Sequence, residues 1–330
     1  LRPVRPLQPE SRVKHTPLMR VHRRFASLPA AARGAAVAIG NFDGVHRGHR
    51  AVVARAAGMA ADLAARLGVV TFEPHPREVV SPGEIVPRLS GFTATAGLLR
   101  GLGVEELFVL PFSRAMMQLS PEAFVGSVLV DRLGVRALAA GENFRFGHRR
   151  QGDVGTLAEL GRRFGFAFAA VPAVHDGGPV SSSRIRALLG DGDVAGAALL
   201  LGHAHTVDGI VRHGDQRGRL LGFPTANLHP LDPRLVLPAN GVYAVRVLRS
   251  AGRGDRWLPG VANLGRRPTF AGRTLLLEVH LLEGGGDLYG QRLRVAFVDR
   301  LRGERKFAGV DELKAQIGRD CRSALARLAA

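Results

Sequence analysis

The sequence predicts an α/β protein of two parts in series, a parallel sheet covered by helices and then a small β-barrel closed by a C-terminal helix. Three observations carry that prediction. Up to about residue 202, short apolar or β-branched runs alternate with stretches of helical period, the order expected of a parallel sheet. Beyond it, β-rich runs are separated by Gly, Pro and Asp punctuation. The chain then ends on one long apolar helical stripe.

Taken in order, residues 1–18 hold Arg2, Arg5, Arg12 and several prolines, which is not the charged-then-apolar layout of a signal peptide. They read as an unstructured and dispensable extension, with Met19-Arg20-Val21-His22 as the start of the folded part. Strands are expected at Ala36 to Ile39, Val69 to Phe72, Leu107 to Leu110, Ala137 to Ala140 and Ala167 to Val171. Between the first two, Val53, Ala56, Ala60, Leu63 and Leu67 recur every three or four residues and define the buried stripe of a helix. Short helices follow at Ser183 to Leu189 and Asp193 to Leu201, and the pattern stops at Gly202-His203. The β-rich runs are Thr206 to Arg212, Gly241 to Leu248, Leu258 to Leu264, Leu275 to Leu282 and Leu293 to Val298. In the last helix Leu313, Ile317, Cys321, Leu325 and Leu328 share one face, which makes Cys321 a core thiol rather than a nucleophile. The expected domains are therefore 19–202 and 203–330.

Composition narrows the function. At 46% hydrophobic and 22% charged, the 330 residues can fold around real cores. A lone cysteine excludes a disulfide scaffold and a cysteine zinc cluster, and fits a reducing cytoplasm. Arg33, Arg55, Asp62 and Arg66 interrupt the most alanine-rich region, so no membrane span is expected. The 46 basic and 28 acidic residues leave a net charge of +18, which favours polyanions. The arginines are scattered, however, and no aromatic and basic nucleic-acid signature accompanies them, so nucleic acid is not the expected partner.

Chemistry concentrates first in Gly40-Asn41-Phe42-Asp43-Gly44-Val45-His46-Arg47-Gly48-His49, between an apolar strand and a long amphipathic helix. Glycines 40, 44 and 48 allow tight turns and close approach, and the free N–H groups of a new helix face an incoming anion. His46 and His49, three apart, can present both rings on one face to a phosphoryl oxygen. The spacing alone is common among surface histidines, and metal ligation lacks a suitable third ligand nearby. None of the three lysines lies in a Walker-type loop, so a triphosphate must be held another way. Three further segments join this one. Thr71 to Pro76, with His75, follows the second strand, and Gly141 to Gly147, with Asn143, follows the fourth, so both emerge on the rim where ligands collect. Ser181-Ser182-Ser183-Arg184-Ile185-Arg186 opens a helix with hydroxyls, free N–H groups and two arginines, a receptor for terminal phosphates.

Together these segments resemble the Gly-x-Phe-Asp-Gly-x-His-x-Gly-His signature and companion motifs of the nucleotidyltransferase superfamily, in the form carried by bacterial bifunctional riboflavin kinase/FAD synthetases. The resemblance implies a Rossmann-like domain that transfers AMP from ATP to FMN, releasing pyrophosphate. It further implies that Gly40, Phe42, Asp43, Gly44, His46, His49 and His75 build the nucleotide site, that Asn143 lies near the reacting phosphates, and that Ser182, Ser183 and Arg186 hold the pyrophosphate. Ser183 departs from the usual threonine but keeps a hydroxyl and an N–H. Arg145, Arg149 and Arg150 are assigned no role.

The second constellation runs from Gly209 to Asn227. Gly214, Gly218 and Gly222 can turn backbone N–H groups toward an anion, and Thr225 and Asn227, two apart on an extended chain, offer oxygens suited to magnesium. Gly218 to Asn227 resembles the riboflavin kinase module residue for residue, as do Pro238 to Ala244, Gly260 to Gly265 with Pro268-Thr269, Glu278 to His280 and Asp287 to Gly290. That resemblance implies a six-stranded antiparallel barrel that phosphorylates riboflavin with ATP and Mg²⁺, with Glu278 as the base. Where the family often continues with an Asp-Phe pair, Glu283-Gly284-Gly285-Gly286 stands instead, a more mobile loop.

The expected partners are therefore ATP, riboflavin and FMN, with a weak homo-oligomer left open. Two competing readings remain: a chain with one working site, and a basic protein that binds flavin or nucleic acid without turnover. Separate point mutants of the two sites discriminate the first, and salt-dependent binding to DNA or RNA without turnover would favour the second.

Overall fold

The computed structural model describes residues 18–23, 28–81, 83–214, 218, 221–249, 256–269, 272–284 and 286–329, with only the backbone described at 266–269 and 272–275. Residues 1–17 of the expected extension lie outside these. The chain divides into two compact units, one running to Ser182 and one from Ser183 onward.

The first unit is built on six strands, β1 (Arg20–His22), β2 (Ala36–Ile39), β3 (Leu67–Glu73), β4 (Glu106–Pro111), β5 (Ala137–Gly141) and β6 (Ala167–Val171). All pair in parallel in the order β1-β4-β3-β2-β5-β6. Both faces are covered, which is why the central strands read as unbroken apolar runs rather than alternating ones. Ile39, Val70, Leu110 and Leu138 pack on one side with Phe124, Leu129 and Leu157. Ala38, Val69, Leu107 and Ala139 pack on the other, under Val53, Ala56 and Ala60 of helix α1 (Arg47–Asp62).

Two details differ from the sequence reading. Helix α1 stops at Asp62, so Leu63 is its C-cap and Leu67 already belongs to β3. Strand β1 escapes the pattern because it is three residues long, two of them basic. Its place at the edge is secured by Glu106 at the start of β4, a fully buried carboxylate that pairs with Arg20, with His22 Nε2 at 2.7 Å and with Arg66 Nη1 at 2.8 Å. The remaining longer helices of this unit are α3 (Phe92–Gly101) and α6 (Val154–Phe164), with short turns α2 (Pro76–Val80), α4 (Arg114–Met117) and α5 (Pro121–Phe124). Asp153 caps α6 in a reciprocal box with Thr156, and Gly165 ends it at a φ of 79°.

The second unit contains α7 (Ser182–Asp191) from Ser183 on, then α8 (Val194–Leu201) capped by Asp193 and ended by Gly202. Strands β7 (His205–Arg212), β8 (Ala226–Pro230), β9 (Gly241–Arg249), β10 (Arg256–Thr269), β11 (Gly272–Leu281) and β12 (Arg292–Arg302) close a barrel in the order β10-β11-β8-β7-β12-β9, every pair antiparallel. Strand β8 is legible in the sequence only as an extended chain at Thr225 and Asn227, since Asn227, His229 and Pro230 interrupt its apolar pattern. Helix α9 (Val310–Ala329) lies against the barrel through Ala324 and Leu328, with Cys321 half-buried beside them. Burial pushes the Cys321 thiol pKa up, with Asp320 adding to it, as befits a core thiol. Leu325, expected on the buried stripe, is 44% exposed. The buried line steps from Cys321 to Ala324 and Leu328, and Asp320, clasped by Arg302 at 2.8 Å, fixes that rotation. Among the described residues no helix is long and apolar enough to cross a membrane.

One buried group ties barrel stability to pH. His205 is 1% exposed, donates from Nε2 to the Val236 carbonyl at 2.8 Å, and has its pKa lowered by burial to about 4. Below the ordinary value of 6.5 the unfolded chain takes up a proton that the folded one refuses. Stability is therefore full above about 6.5 and declines as the pH falls toward 4, by about 3 kcal/mol in all. Thermal unfolding followed at Trp257 on β10, the single tryptophan, should show this decline in the parent chain and a flatter profile in His205→Phe.

Candidate active sites

The strand order of the first unit reverses between β2 and β5, and the loops leaving the ends of β2, β3 and β5 meet at that crevice. After β2 the backbone enters left-handed space at Phe42, Gly44 and Val45, with φ of 51°, 78° and 41°. Such geometry is strained for a β-branched valine and persists only where the surroundings dictate it. Here they do. Phe42 and Val45 are each 1% exposed in the core, and Asp43 Oδ1 accepts the N–H groups of Leu89 at 2.8 Å and Ser90 at 3.2 Å. Phe42 and Asp43, expected among the nucleotide-binding residues, thus place their side chains in the scaffold of the loop.

His46 is the N-cap of α1, its Nδ1 accepting the His49 N–H at 3.3 Å. This bond brings the two rings into a stack with centroids 3.6 Å apart and 16° between their planes. Nδ1 of His49 is buried with no hydrogen-bond partner. Burial, and secondarily His46, hold the His49 pKa well below 6.5, so its imidazole is neutral at pH 7. A Cβ at Gly48 would come within 3.1 Å of the His46 ring, a contact tight enough to push that ring.

The other segments arrive beside this loop. His75 caps α2, with Nδ1 accepting the Arg77 N–H and Nε2 lying 3.2 Å from the Asn41 amide. Ser182 Oγ donates to the Asp43 carbonyl at 3.3 Å, so the first residue of α7 touches the β2 loop. Ser183 and Arg186 follow on the same helix, exposed and half-buried. Gly40, Asn41 and exposed Asn143 line a cavity of about 700 Å³ whose walls include Phe72, Phe112, Phe124, Phe144 and Phe146. Arg77, Arg145, Arg149 and Arg150 also line it, and among the described residues no acid does.

In the barrel, the register sets Glu278 directly opposite Asn227 on one side and Asn263 on the other. Leu277 and Val279 flank it at 1% exposure, and Glu278 Oε2 accepts from Asn263 Nδ2 at 3.4 Å. Thr225 and Asn227 line a second cavity, of about 570 Å³, between Val211, Val279 and residues 286–289. The glycines above it are sterically required. A Cβ at Gly214 would fall 2.2 Å from Asn227 Nδ2, and one at Gly218 would fall 2.5 Å from the Phe223 carbonyl and 3.0 Å from Thr225 Oγ1. Gly222 adopts a φ of 85°. Residues 215–217, 219 and 220 of this expected flap lie outside the described residues. His280 Nδ1 sits 2.7 Å from the Pro224 carbonyl, and His213 stacks on Tyr289 at 3.8 Å, so both ends of the segment are held.

Sequence reasoning missed Arg88, Leu89 and Ser90, which reach the first site only through long-range contacts that no local spacing announces.

Comparison with known proteins agrees with this division. Residues 28–184 match the FAD synthetase family and residues 201–328 the riboflavin kinase family. Proteins of Escherichia coli K12 and Pseudomonas fluorescens, both described as bifunctional riboflavin kinase/FMN adenylyltransferase, are 42% and 43% identical over 92% and 93% of this chain and 96% and 97% of their own lengths. A crystal structure described as a macrolide-efflux protein from Streptococcus pneumoniae superposes with a TM-score of 0.84 at 30% identity, covering 93% of this chain and 98% of that one. With the glycine-containing loop and stacked histidines after β2, Glu278 opposite Asn227 in the barrel, and relatives alike over nearly their whole length, the chain belongs to the bifunctional riboflavin kinase/FMN adenylyltransferase family.

Proposed function

We propose that the two reactions of this bifunctional enzyme, riboflavin to FMN and FMN to FAD, are carried by the following residues in a cytoplasmic setting and with magnesium. The supporting observation is segregation: the histidine stack with its supporting loops lies in the first unit and the Glu278-Asn227 pair in the second, each held by contacts within its own unit. We further take the functional boundary near residue 202, with α7 and α8 serving the adenylyltransferase.

For adenylyl transfer, the phosphate of FMN attacks the α-phosphorus of ATP and pyrophosphate leaves. His46, whose Nδ1 already accepts, carries its proton on Nε2 and donates from there, while the neutral His49 ring stacked on it offers its own N–H to a phosphate oxygen. Because His49 resists protonation, it donates a hydrogen bond without surrendering a proton, a form of electrostatic stabilisation. The aromatic cavity suits the flat isoalloxazine, and the arginines on its wall, Arg145, Arg149 and Arg150 beside the Glu84-paired Arg77, suit the FMN phosphate. Asn143 orients the reacting phosphates, and the hydroxyls of Ser182 and Ser183 with Arg186 receive the pyrophosphate.

For riboflavin phosphorylation, Glu278 takes the proton of the ribityl hydroxyl as the hydroxyl oxygen attacks the terminal phosphorus of ATP, and the bond to the β-γ bridging oxygen breaks to release ADP. Thr225 and Asn227 would hold magnesium: both supply hard neutral oxygens, and the space above them is kept clear by glycines where a Cβ would intrude. When bound there, the ion neutralises phosphate charge. Gly214→Ala should therefore lower riboflavin phosphorylation by about 100-fold, the order expected when a positioned group is displaced by an ångström, and leave FAD formation from FMN intact. Incubation of the full chain with riboflavin, ATP and magnesium, followed by separation of the flavins, tests the whole reading. FMN and then FAD should accumulate in that order, and neither should form once magnesium is chelated.

A further inference from the structure

From the contacts around Arg88, Leu89 and Ser90 we infer that this segment is a positioning clamp, joining the loop that carries His46 and His49 to the loop that carries His75. The inference rests on the adenylyltransferase reading of the first unit. Arg88 is 7% exposed, and its Nη2 reaches Glu78 Oε1 at 3.1 Å and Glu73 Oε1 at 3.5 Å, the first on α2 and the second at the end of β3. Glu78 uses its other oxygen to accept the His75 N–H at 3.2 Å, so Arg88 orients the residue that fixes the His75 cap. The next two residues turn to the other loop. The N–H groups of Leu89 and Ser90 both hold Asp43 Oδ1, and Ser90 Oγ accepts the Gly44 N–H at 2.9 Å while bonded to Thr95 Oγ1 at 2.7 Å. Three consecutive residues therefore fix two loops that leave different strands, on both sides of Asn41, whose amide lies 3.2 Å from His75.

Stability alone is a weak reason for this arrangement. Arg88 is buried among carboxylates yet leaves its Nε without a partner, and a buried ion pair with an unmet hydrogen bond adds little net stability. The strained left-handed path at Phe42, Gly44 and Val45 is anchored through Asp43 and Gly44, the two residues that the segment grips. What the clamp supplies is registry: the histidine stack and His75 hold a fixed spacing across which ATP and FMN must align. Neither Arg88 nor Ser90 need touch a substrate for this, so both are positioning residues.

The test uses the full chain with Arg88→Ala, Arg88→Lys, Ser90→Ala and the Arg88→Ala/Ser90→Ala double variant, measuring FAD formation from FMN and ATP. Arg88→Ala and Ser90→Ala should each lower kcat by about 10- to 100-fold, the scale set by an ångström of misplacement, with KM for ATP and FMN changing far less. Arg88→Lys, which keeps one cation but cannot bridge two carboxylates equally, should recover part of kcat. The double variant should lose less than the product of the two single losses, because both act through one clamp. Riboflavin phosphorylation in the same preparations should stay at the parental rate. Amide exchange over residues 28–182 gives the folded fraction to which each rate is normalised, and Ser90→Ala carries the test where Arg88→Ala lowers that fraction. Normalised rates within twofold of the parent in both single variants, or full multiplicativity in the double one, would overturn the clamp. A parent chain that makes FMN but no FAD would instead overturn the adenylyltransferase reading beneath it.

Discussion

Glu278→Gln is expected to lower riboflavin phosphorylation by about 10²- to 10⁴-fold, the contribution of a positioned general base, while FAD formation from supplied FMN continues at the parental rate. The reason is positional. On β11 successive residues face opposite ways, so Leu277 and Val279 enter the barrel core and Glu278 does not. The antiparallel register then lays Asn227 of β8, Glu278 and Asn263 of β10 in one row across three neighbouring strands. Glutamine keeps the shape of the side chain and an oxygen to accept from Asn263, while it removes the negative charge and the ability to take up a proton. KM for riboflavin and ATP should consequently move little, and the loss should fall on kcat. Assaying both activities in one preparation checks this, and a kinase rate within tenfold of the parent would remove Glu278 from the role of base.

How much of this was legible in the sequence depended on the range of the determining forces. Ala36 to Ile39 and Ala167 to Val171 match β2 and β6 residue for residue, because a strand whose direction and ends are set by its own composition needs no partner to be seen. The glycine-rich loop after β2 was legible for a related reason: only glycines and a short turn allow a backbone to approach an anion closely. Segments β1 and β8 were not legible as sheet strands, since their polar side chains are satisfied by residues far along the chain, Glu106 for β1 and the Glu278 strand for β8. The same limit hid the contacts of Asp43, whose Oδ1 accepts N–H groups 46 and 47 residues away. Spacing also predicted that His46 and His49 share a face, and left unseen that His46 stands outside the helix as its cap, with its ring accepting the backbone N–H of its neighbour.

That cap makes the outcome at His49 the mirror of the outcome at Glu278. His49→Ala is expected to lower FAD formation by about 10²- to 10³-fold, the cost of removing one aligned donor from a site of developing charge, and to spare riboflavin phosphorylation. Alanine also strips the ring that stacks on His46 at 3.6 Å, leaving His46 only its bond from the residue 49 N–H, and His49→Gln should retain more activity by keeping a donor. The direction of the His49 pKa adds a discriminating check. A group held well below 6.5 is already neutral at pH 8 and stays neutral as the pH falls through the ordinary histidine range. If His49 acts as a neutral donor, the ratio of parental to His49→Gln turnover should stay constant between pH 6 and pH 8, because neither side chain changes charge over that interval. A ratio that changes with a midpoint near 6.5 would mean that the ring titrates as an exposed imidazole does, and would contradict both its burial and its proposed part in the transfer. Paired with Glu278→Gln, the measurement separates the two reactions within one chain, since each substitution should silence one flavin product and leave the other unaffected.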